Sequence, residues 1–132
     1  MNRRTFFAVA AAAAFVAPAA SAEEFVTYKP GLIEERLAAG ETVFVDFGAD
    51  WCSTCASQER TINALREENP AYDEAMTFVK VDWDDFGRAP VATSRNIPRR
   101  STLLVLRGDD ELGRIIAGTR RGQIKQLMDL GL

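Results

Sequence analysis

The spacing of apolar and polar residues after residue 22 alternates between the period of a strand and that of a helix. Five short runs rich in Val, Ile, Phe and Leu predict strands: residues 25–28, 43–47, 77–83, 102–106 and 112–117. Five other segments predict helices or single helical turns: residues 32–39, 52–68, 71–75, 87–95 and 123–130. The last two strands flank a turn sequence, Gly108-Asp109-Asp110, and should form a hairpin. This order predicts one α/β domain with a central mixed sheet flanked by helices.

The run at residues 43–47 contains a single polar residue, Asp46, with two apolar neighbours on each side. A carboxyl group in such a strand should be buried, and burial raises its pKa because the charged form loses hydration. The alternative is an exposed Asp on a half-buried strand.

A Cys-x-x-Cys pair, Cys52 and Cys55, follows this strand at the start of a predicted helix, and the chain has no other cysteine. A zinc site needs about four ligands, and the chain contains no His. Haem attachment requires His after the second Cys, where Ala56 stands. A purely structural disulfide with so short a loop would remove little unfolded-state entropy. The pattern therefore favours a redox-active disulfide, Cys52–Cys55, with no other cofactor or metal expected.

The position of Cys52 at a helix N-terminus predicts that it is the attacking thiol. Unpaired N–H groups and the helix dipole there favour a thiolate. Cys55, one turn later, would then resolve the mixed disulfide formed with a substrate. The residues between them, Ser53 and Thr54, carry no charge and do not by themselves determine the reduction potential.

The first 22 residues have the pattern of a secretory signal peptide. Arg3 and Arg4 precede an apolar, Ala-rich run, and a small-x-small sequence ends at Ala22, after which cleavage is expected. The basic pair resembles a twin-arginine signal, although secretion through the Sec channel fits equally well. We expect residues 23–132 to be the mature domain, and a periplasmic location.

The charge of the mature domain argues against two classes of partner. Without Arg3 and Arg4, 14 basic residues remain against 19 acidic ones, a formal net charge of −5. This disfavours general binding to nucleic acid or to anionic membranes. No other segment is apolar enough to span a bilayer, so no membrane insertion of the mature chain is expected.

The sequence of residues 45–52, Val-Asp-Phe-Gly-Ala-Asp-Trp-Cys, resembles the signature of the thioredoxin family, and the resemblance extends over residues 25–132. Glu59 also resembles an acidic residue of the C-terminal domains of membrane thiol–disulfide interchange reductases. The resemblance implies a thioredoxin-like fold and thiol–disulfide oxidoreductase activity on disulfide-containing proteins. It further implies a membrane electron donor for an exported protein.

Several residue roles follow from this resemblance. Asp46 would be the buried acid that moves the proton of the resolving cysteine, and Lys80 its partner, unless Lys80 is an ordinary edge-strand lysine. Cys52 would be the more exposed of the two cysteines. Five positions would contact substrate. Trp51 and Trp83 would form an apolar patch, unless they belong to the core, and the others would lie in the loops beside the dithiol: Arg100, Ser101 and Gly118.

The sequence departs from the family where relatives carry a cis-proline opposite the dithiol. An ungapped alignment places Ser101 in that position and Arg100 before it, whereas the alternative retains Pro98 and loops out three residues. We favour Ser101, preceded by a trans peptide bond. The surrounding loops contain arginines that would form a positive rim, lower the pKa of Cys52 and attract acidic partners: Arg95, Arg99, Arg100, Arg120 and Arg121.

Two other functions remain open at this point. A protein of this fold can act as a thiol oxidant or isomerase, which a measured reduction potential separates from a reductase. It can also be a non-catalytic binding or metal-delivery module, although the absence of His and of further Cys argues against metal delivery.

Overall fold

A computed structural model describes residues 24–132 and contains one sheet flanked by helices. Its strands are β1 (Val26–Thr27), β2 (Thr42–Gly48), β3 (Met76–Asp82), β4 (Thr102–Arg107) and β5 (Asp110–Ile116). Its helices are α1 (Leu32–Ala38), α2 (Ser53–Glu68), α3 (Ala71–Ala75), α4 (Trp83–Phe86), α5 (Pro90–Thr93) and α6 (Arg121–Asp129). The predicted signal peptide lies outside the described residues.

The sheet has the strand order β1-β3-β2-β4-β5, and it is mixed. Strand β3 is parallel to both β1 and β2, whereas β4 is antiparallel to β2 and β5. A parallel neighbour requires a crossover, which α2 and α3 supply between β2 and β3. The β4–β5 hairpin turns at Gly108, whose φ of +57° suits a residue without a side chain. The predicted α/β class with a mixed sheet is confirmed.

Strand β2 lies at the centre of the sheet and is buried along its whole length. Successive side chains point to opposite faces. Val43, Val45 and Phe47 pack in the apolar core on one face, and Phe44 packs in the core on the other. Asp46 shares the face of Phe44, so the lone carboxyl group of the strand is directed toward the side covered by α2.

The predicted helix over residues 87–95 is wrong in its extent. The structure has two short helices, α4 and α5, interrupted at residues 87–89. Ala89 is extended, with φ −83° and ψ 163°, because the ring of Pro90 disfavours the helical conformation in the preceding residue. The predicted third strand, residues 77–83, is shifted by one residue toward the C-terminus, since β3 begins at Met76 and Trp83 belongs to α4, which Asp82 caps.

No helix in the described part of the chain is long and apolar enough to cross a membrane.

Candidate active site

The dithiol lies where β2 ends and α2 begins. Cys52 is the N-cap residue of α2, and its Sγ accepts a hydrogen bond from the backbone N–H of Cys55 at 3.2 Å. The two sulfurs are bonded to each other, with the Cα atoms 5.2 Å apart. An N–H group directed at Cys52 Sγ favours the thiolate when the disulfide is reduced.

The expected difference in exposure between the two cysteines is not observed. Cys52 is 4 % exposed and Cys55 is 5 % exposed. Both sulfur-bearing side chains pack with Ala49 and with the partly buried Trp83. The position of Cys52 at the helix N-terminus therefore distinguishes it from Cys55, and its accessibility in this oxidised state does not.

Ser101 lies directly against the dithiol. Its Oγ is 3.2 Å from Cys52 Sγ and 3.1 Å from Cys55 Sγ, and the residue is fully buried. Pro98 is exposed, and no peptide bond in residues 24–132 is cis. The ungapped alignment thus agrees with the observed geometry, and the peptide bond between Arg100 and Ser101 is trans.

The backbone of Ser101 is left-handed, with φ +65°, a conformation that residues with a Cβ rarely adopt. Three hydrogen bonds hold it. Its N–H donates to Phe47 O at 2.7 Å, and its carbonyl accepts from Ala117 N at 2.9 Å and from Gln58 Nε2 at 3.0 Å. Such conformations persist where the surrounding structure determines them.

Gln58 is a site residue that the sequence reasoning missed. It is fully buried, and its Nε2 also donates to Gly118 O at 2.9 Å, so that one amide joins the two loops beside the dithiol. Its Oε1 has no hydrogen-bond partner within the described structure. The available signal was a polar residue three positions after Cys55, on the otherwise apolar face of α2.

Asp46 is 1 % exposed, and its Oδ1 has no hydrogen-bond partner among residues 24–132. Burial raises its pKa from 3.8 to about 7, while the charge of Lys80 lowers it and that of Glu59 raises it. A Cβ placed on Gly48 would lie 3.3 Å from Asp46 Oδ1 and 3.8 Å from Cys55 Sγ. The absence of a side chain at Gly48 therefore leaves a gap that borders both the carboxyl group and the resolving sulfur.

Lys80 stands opposite Asp46 in the register of β2 and β3. The Nζ of Lys80 donates to Glu59 Oε2 at 3.1 Å, so its hydrogen-bond partner is Glu59. Burial opposes its charge, but the hydrogen bond and charge of Glu59 raise the pKa of Lys80 overall. Lys80 acts on Asp46 only through its charge, and Glu59 joins the site as the group that fixes the ammonium.

An exposed aromatic surface lies beside Cys52. Trp51 is 61 % exposed, and its Nε1 donates to Asp84 Oδ2 at 2.8 Å. The guanidinium carbon of Arg100 lies 4.5 Å from the centre of the Trp51 ring, a cation–π contact. Trp51 and Arg100 thus form one surface, which we call the Trp51–Arg100 platform.

Trp83 and Gly118 occupy structural positions close to the dithiol. Trp83 is partly buried and packs edge-to-face on Phe47, with the ring centres 6.4 Å apart. It packs against the two cysteine side chains and is less exposed to solvent than Trp51. Gly118 has no room for a side chain, because a Cβ there would lie 2.9 Å from Ile115 Cγ2 and would collide with Gln123.

The five arginines expected to form a rim differ in their contacts. Arg100 lies on Trp51, and Arg99 Nε donates to the carbonyl of Arg100. Arg121 is paired with Glu68 on α2. Arg120 is the exposed N-cap of α6, and Arg95 donates no hydrogen bond to the dithiol loops in the described chain. Arg100 is thus the cation that the structure joins to the site.

In residues 24–132, no set of three or more His, Cys, Asp or Glu side chains is arranged to hold a metal ion.

A close cysteine pair at a helix N-terminus, together with a nearby buried acid, is the arrangement typical of thiol–disulfide oxidoreductases. Comparison with known sequences agrees, since residues 25–130 match the Thioredoxin family. The chain belongs to the thioredoxin family.

The relatives are similar in sequence over part of their length. Mitochondrial thioredoxin-2 of Schizosaccharomyces pombe is 30 % identical over 81 residues, which cover 61 % of this chain and 56 % of the relative. Thioredoxin H2-1 of Oryza sativa is 31 % identical over 78 residues, covering 59 % and 52 %. The chain spans about half the length of the curated relatives it matches.

Solved structures share the fold over most of the chain. The crystal structure of Trxlp from Edwardsiella tarda superposes with a TM-score of 0.65 at 28 % identity, covering 76 % of this chain and 95 % of that one.

Proposed function

We propose that this protein is an exported thiol–disulfide oxidoreductase that reduces protein disulfides through a mixed-disulfide intermediate. The observation that carries the proposal is the arrangement of Cys52 at the N-cap of α2, with Cys55 one turn later and the buried Asp46 behind it. Relatives of similar sequence are thioredoxins.

The reaction follows from these positions. The Cys52 thiolate attacks one sulfur of a substrate disulfide, a new S–S bond forms, and the first substrate thiolate leaves. Cys55 then loses its proton toward Asp46 across the gap at Gly48, and its thiolate attacks Cys52 Sγ. The second substrate thiolate leaves and takes a proton from water. The substrate is reduced by two electrons, and the Cys52–Cys55 disulfide is formed.

The reduction potential separates a reductase from an oxidant. We expect a value nearer to the roughly −270 mV of thioredoxin than to the roughly −120 mV of a strong oxidant. The reason is that the proteins of similar sequence are thioredoxins. Equilibration with glutathione and with dithiothreitol buffers, read by thiol alkylation, measures it. A value close to that of the strong oxidant would replace the proposal by the oxidant or isomerase alternative.

The signal-like pattern of residues 1–22 supports export to the periplasm, where a disulfide reductase needs electrons relayed across the inner membrane. We therefore propose a membrane electron donor and disulfide-containing proteins as substrates. Fractionation of cells that express the full chain tests the location, and recovery in the cytoplasm alone would contradict it.

The Trp51–Arg100 platform should select substrates with an acidic residue beside the target cysteine. Replacing Arg100 with Gln should slow association with a Glu-flanked disulfide peptide about tenfold at low salt, because the attracting charge is lost. The salt dependence of that rate should fall at the same time. Stopped-flow quenching of Trp51 fluorescence measures both.

The matched control is Arg121→Gln, since the charge of Arg121 is already paired with Glu68. It should change the association rate less than about twofold. Equal effects of the two variants would show that the overall charge matters and that the platform has no special role.

A further inference from the structure

The hydroxyl group of Ser101 touches both reacting sulfurs. The distances from its Oγ to Cys52 Sγ and Cys55 Sγ, 3.2 Å and 3.1 Å, differ by little. Both fall within the reach of a hydrogen bond to sulfur. Rotation about the Cβ–Oγ bond alone therefore directs the hydroxyl proton to either sulfur.

Hydrogen bonds hold the Ser101 backbone in the conformation that places its hydroxyl group against both sulfurs. Its left-handed φ is fixed by bonds to Phe47, Ala117 and Gln58, which come from three different elements or loops around the site. Gln58 is buried, and its amide nitrogen donates hydrogen bonds to two carbonyl groups, those of Ser101 and Gly118. A disfavoured conformation over-determined in this way indicates a functional constraint.

The Ser101 hydroxyl group is shielded from solvent, so bulk water does not compete with the sulfurs for its hydrogen bond. Ser101 is fully buried, and both cysteines are nearly so. A hydrogen bond to a charged group is stronger in such surroundings than in water. Proline, which the family carries in this position, has no group that can donate to sulfur.

We propose that Ser101 is a catalytic residue whose hydroxyl donates a hydrogen bond to whichever cysteine sulfur carries the negative charge during the reaction. This inference rests on the proposed thiol–disulfide exchange at Cys52 and Cys55, and it adds a group to that chemistry.

In the reduced protein the hydroxyl donates to the Cys52 thiolate. When Cys52 attacks the substrate disulfide, its charge passes to the leaving substrate thiolate, and the hydroxyl turns to Cys55. Cys55 gives its proton to the Asp46 carboxylate, and Ser101 stabilises the resulting thiolate. This thiolate bonds to Cys52 Sγ, and the bond from Cys52 to the substrate breaks. Ser101 keeps its own proton throughout.

The first test titrates Cys52 alone, in a Cys55→Ala background. Adding Ser101→Ala should raise the pKa of Cys52 by about one to two units, as expected for loss of a hydrogen bond to a charged group. The rate of iodoacetamide alkylation as a function of pH gives this value. An unchanged pKa would overturn the proposal.

A second variant, Ser101→Gly, separates the hydroxyl group from the backbone. Glycine accepts a positive φ without strain, so this variant should fold even if Ser101→Ala does not. Both variants lack the hydroxyl and should shift the Cys52 pKa alike. A shift in Ser101→Ala together with the parent value in Ser101→Gly would assign the effect to the backbone and overturn the proposal.

The third measurement follows resolution with both cysteines present. An aromatic disulfide with a coloured thiol product releases one thiol on attack by Cys52 and a second on attack by Cys55. Ser101→Ala should slow the second release about tenfold near neutral pH. An unchanged second phase would contradict the role at Cys55.

These outcomes are distinct from failure of the proposed function. If the parent protein reduces protein disulfides but Ser101→Ala and Ser101→Gly leave the Cys52 pKa unchanged, the inference fails alone. If the parent does not reduce protein disulfides, the Cys52 titration still decides whether the hydrogen bond exists.

Discussion

Replacing Cys55 with Ser should trap stable mixed disulfides between Cys52 and partner proteins, whereas replacing Cys52 with Ser should trap none. The reason is that Cys52 carries the favoured thiolate at the N-cap of α2, and only Cys55 is placed to resolve the intermediate. Both variants should lose about three orders of magnitude or more in disulfide turnover. Non-reducing electrophoresis and mass spectrometry identify the trapped species.

The two variants serve as controls for each other, since each retains one sulfur and differs from the parent by one atom. Their circular dichroism spectra should match that of the reduced parent, because α2 is retained. Trapping by Cys52→Ser and none by Cys55→Ser would reverse the assignment of nucleophile and resolving cysteine.

Asp46→Asn should stabilise the oxidised fold at alkaline pH and remove a pH dependence of stability. The native state holds the proton of Asp46 up to about pH 7, whereas the unfolded state releases it near the ordinary value of 3.8. Between these values the native state binds more protons, so the free energy of unfolding falls as pH rises and levels off above pH 7. The loss amounts to about 4 kcal/mol at most.

Urea unfolding of the oxidised parent at about pH 4 and about pH 8 measures this slope. Asp46→Asn should lack the contribution, so the two proteins should differ little at the lower pH and by a few kcal/mol at the higher pH. Asp109→Asn, a change at an exposed turn residue, should follow the parent at both. Equal pH slopes for the parent and Asp46→Asn would show that Asp46 titrates normally.

The same variant should slow resolution by Cys55 while leaving the attack by Cys52 unaffected. Asn cannot accept the Cys55 proton across the gap at Gly48. The second thiol release should therefore slow most near pH 7, where the Asp46 carboxylate is available to the parent. A second phase identical to that of the parent from about pH 6 to about pH 9 would remove Asp46 from proton transfer.

The α/β order and the place of the dithiol were predictable because they depend on local pattern. Strand β2 is a continuous apolar run, and the helix after it begins at a Cys-x-x-Cys pair, so both are visible in the spacing of neighbouring residues. The main error, residues 87–95, arose where Pro90 divides a segment that is too short for its periodicity to be informative.

Pairwise distances across the fold were not predictable in the same way. Lys80 lies opposite Asp46 and its charge lowers the pKa of that carboxyl group, but the hydrogen bond of Lys80 goes to Glu59, which the sequence did not indicate. The expectation that Cys52 is more exposed than Cys55 was wrong. Both features concern side-chain packing, which depends on residues far apart in sequence.

By itself, the sequence determined the family, the order of elements, the reactive cysteine pair and the buried carboxyl group, because each is encoded by residues close together in the chain. Only the tertiary structure decided that the Ser101 hydroxyl touches both sulfurs, that Gln58 joins the loops at Ser101 and Gly118, and that Arg100 lies on Trp51. These contacts join residues 43 to 60 positions apart, and sheet pairing and loop conformation bring them together. A left-handed serine has no local sequence signature, so its position is set by the bonds that surround it.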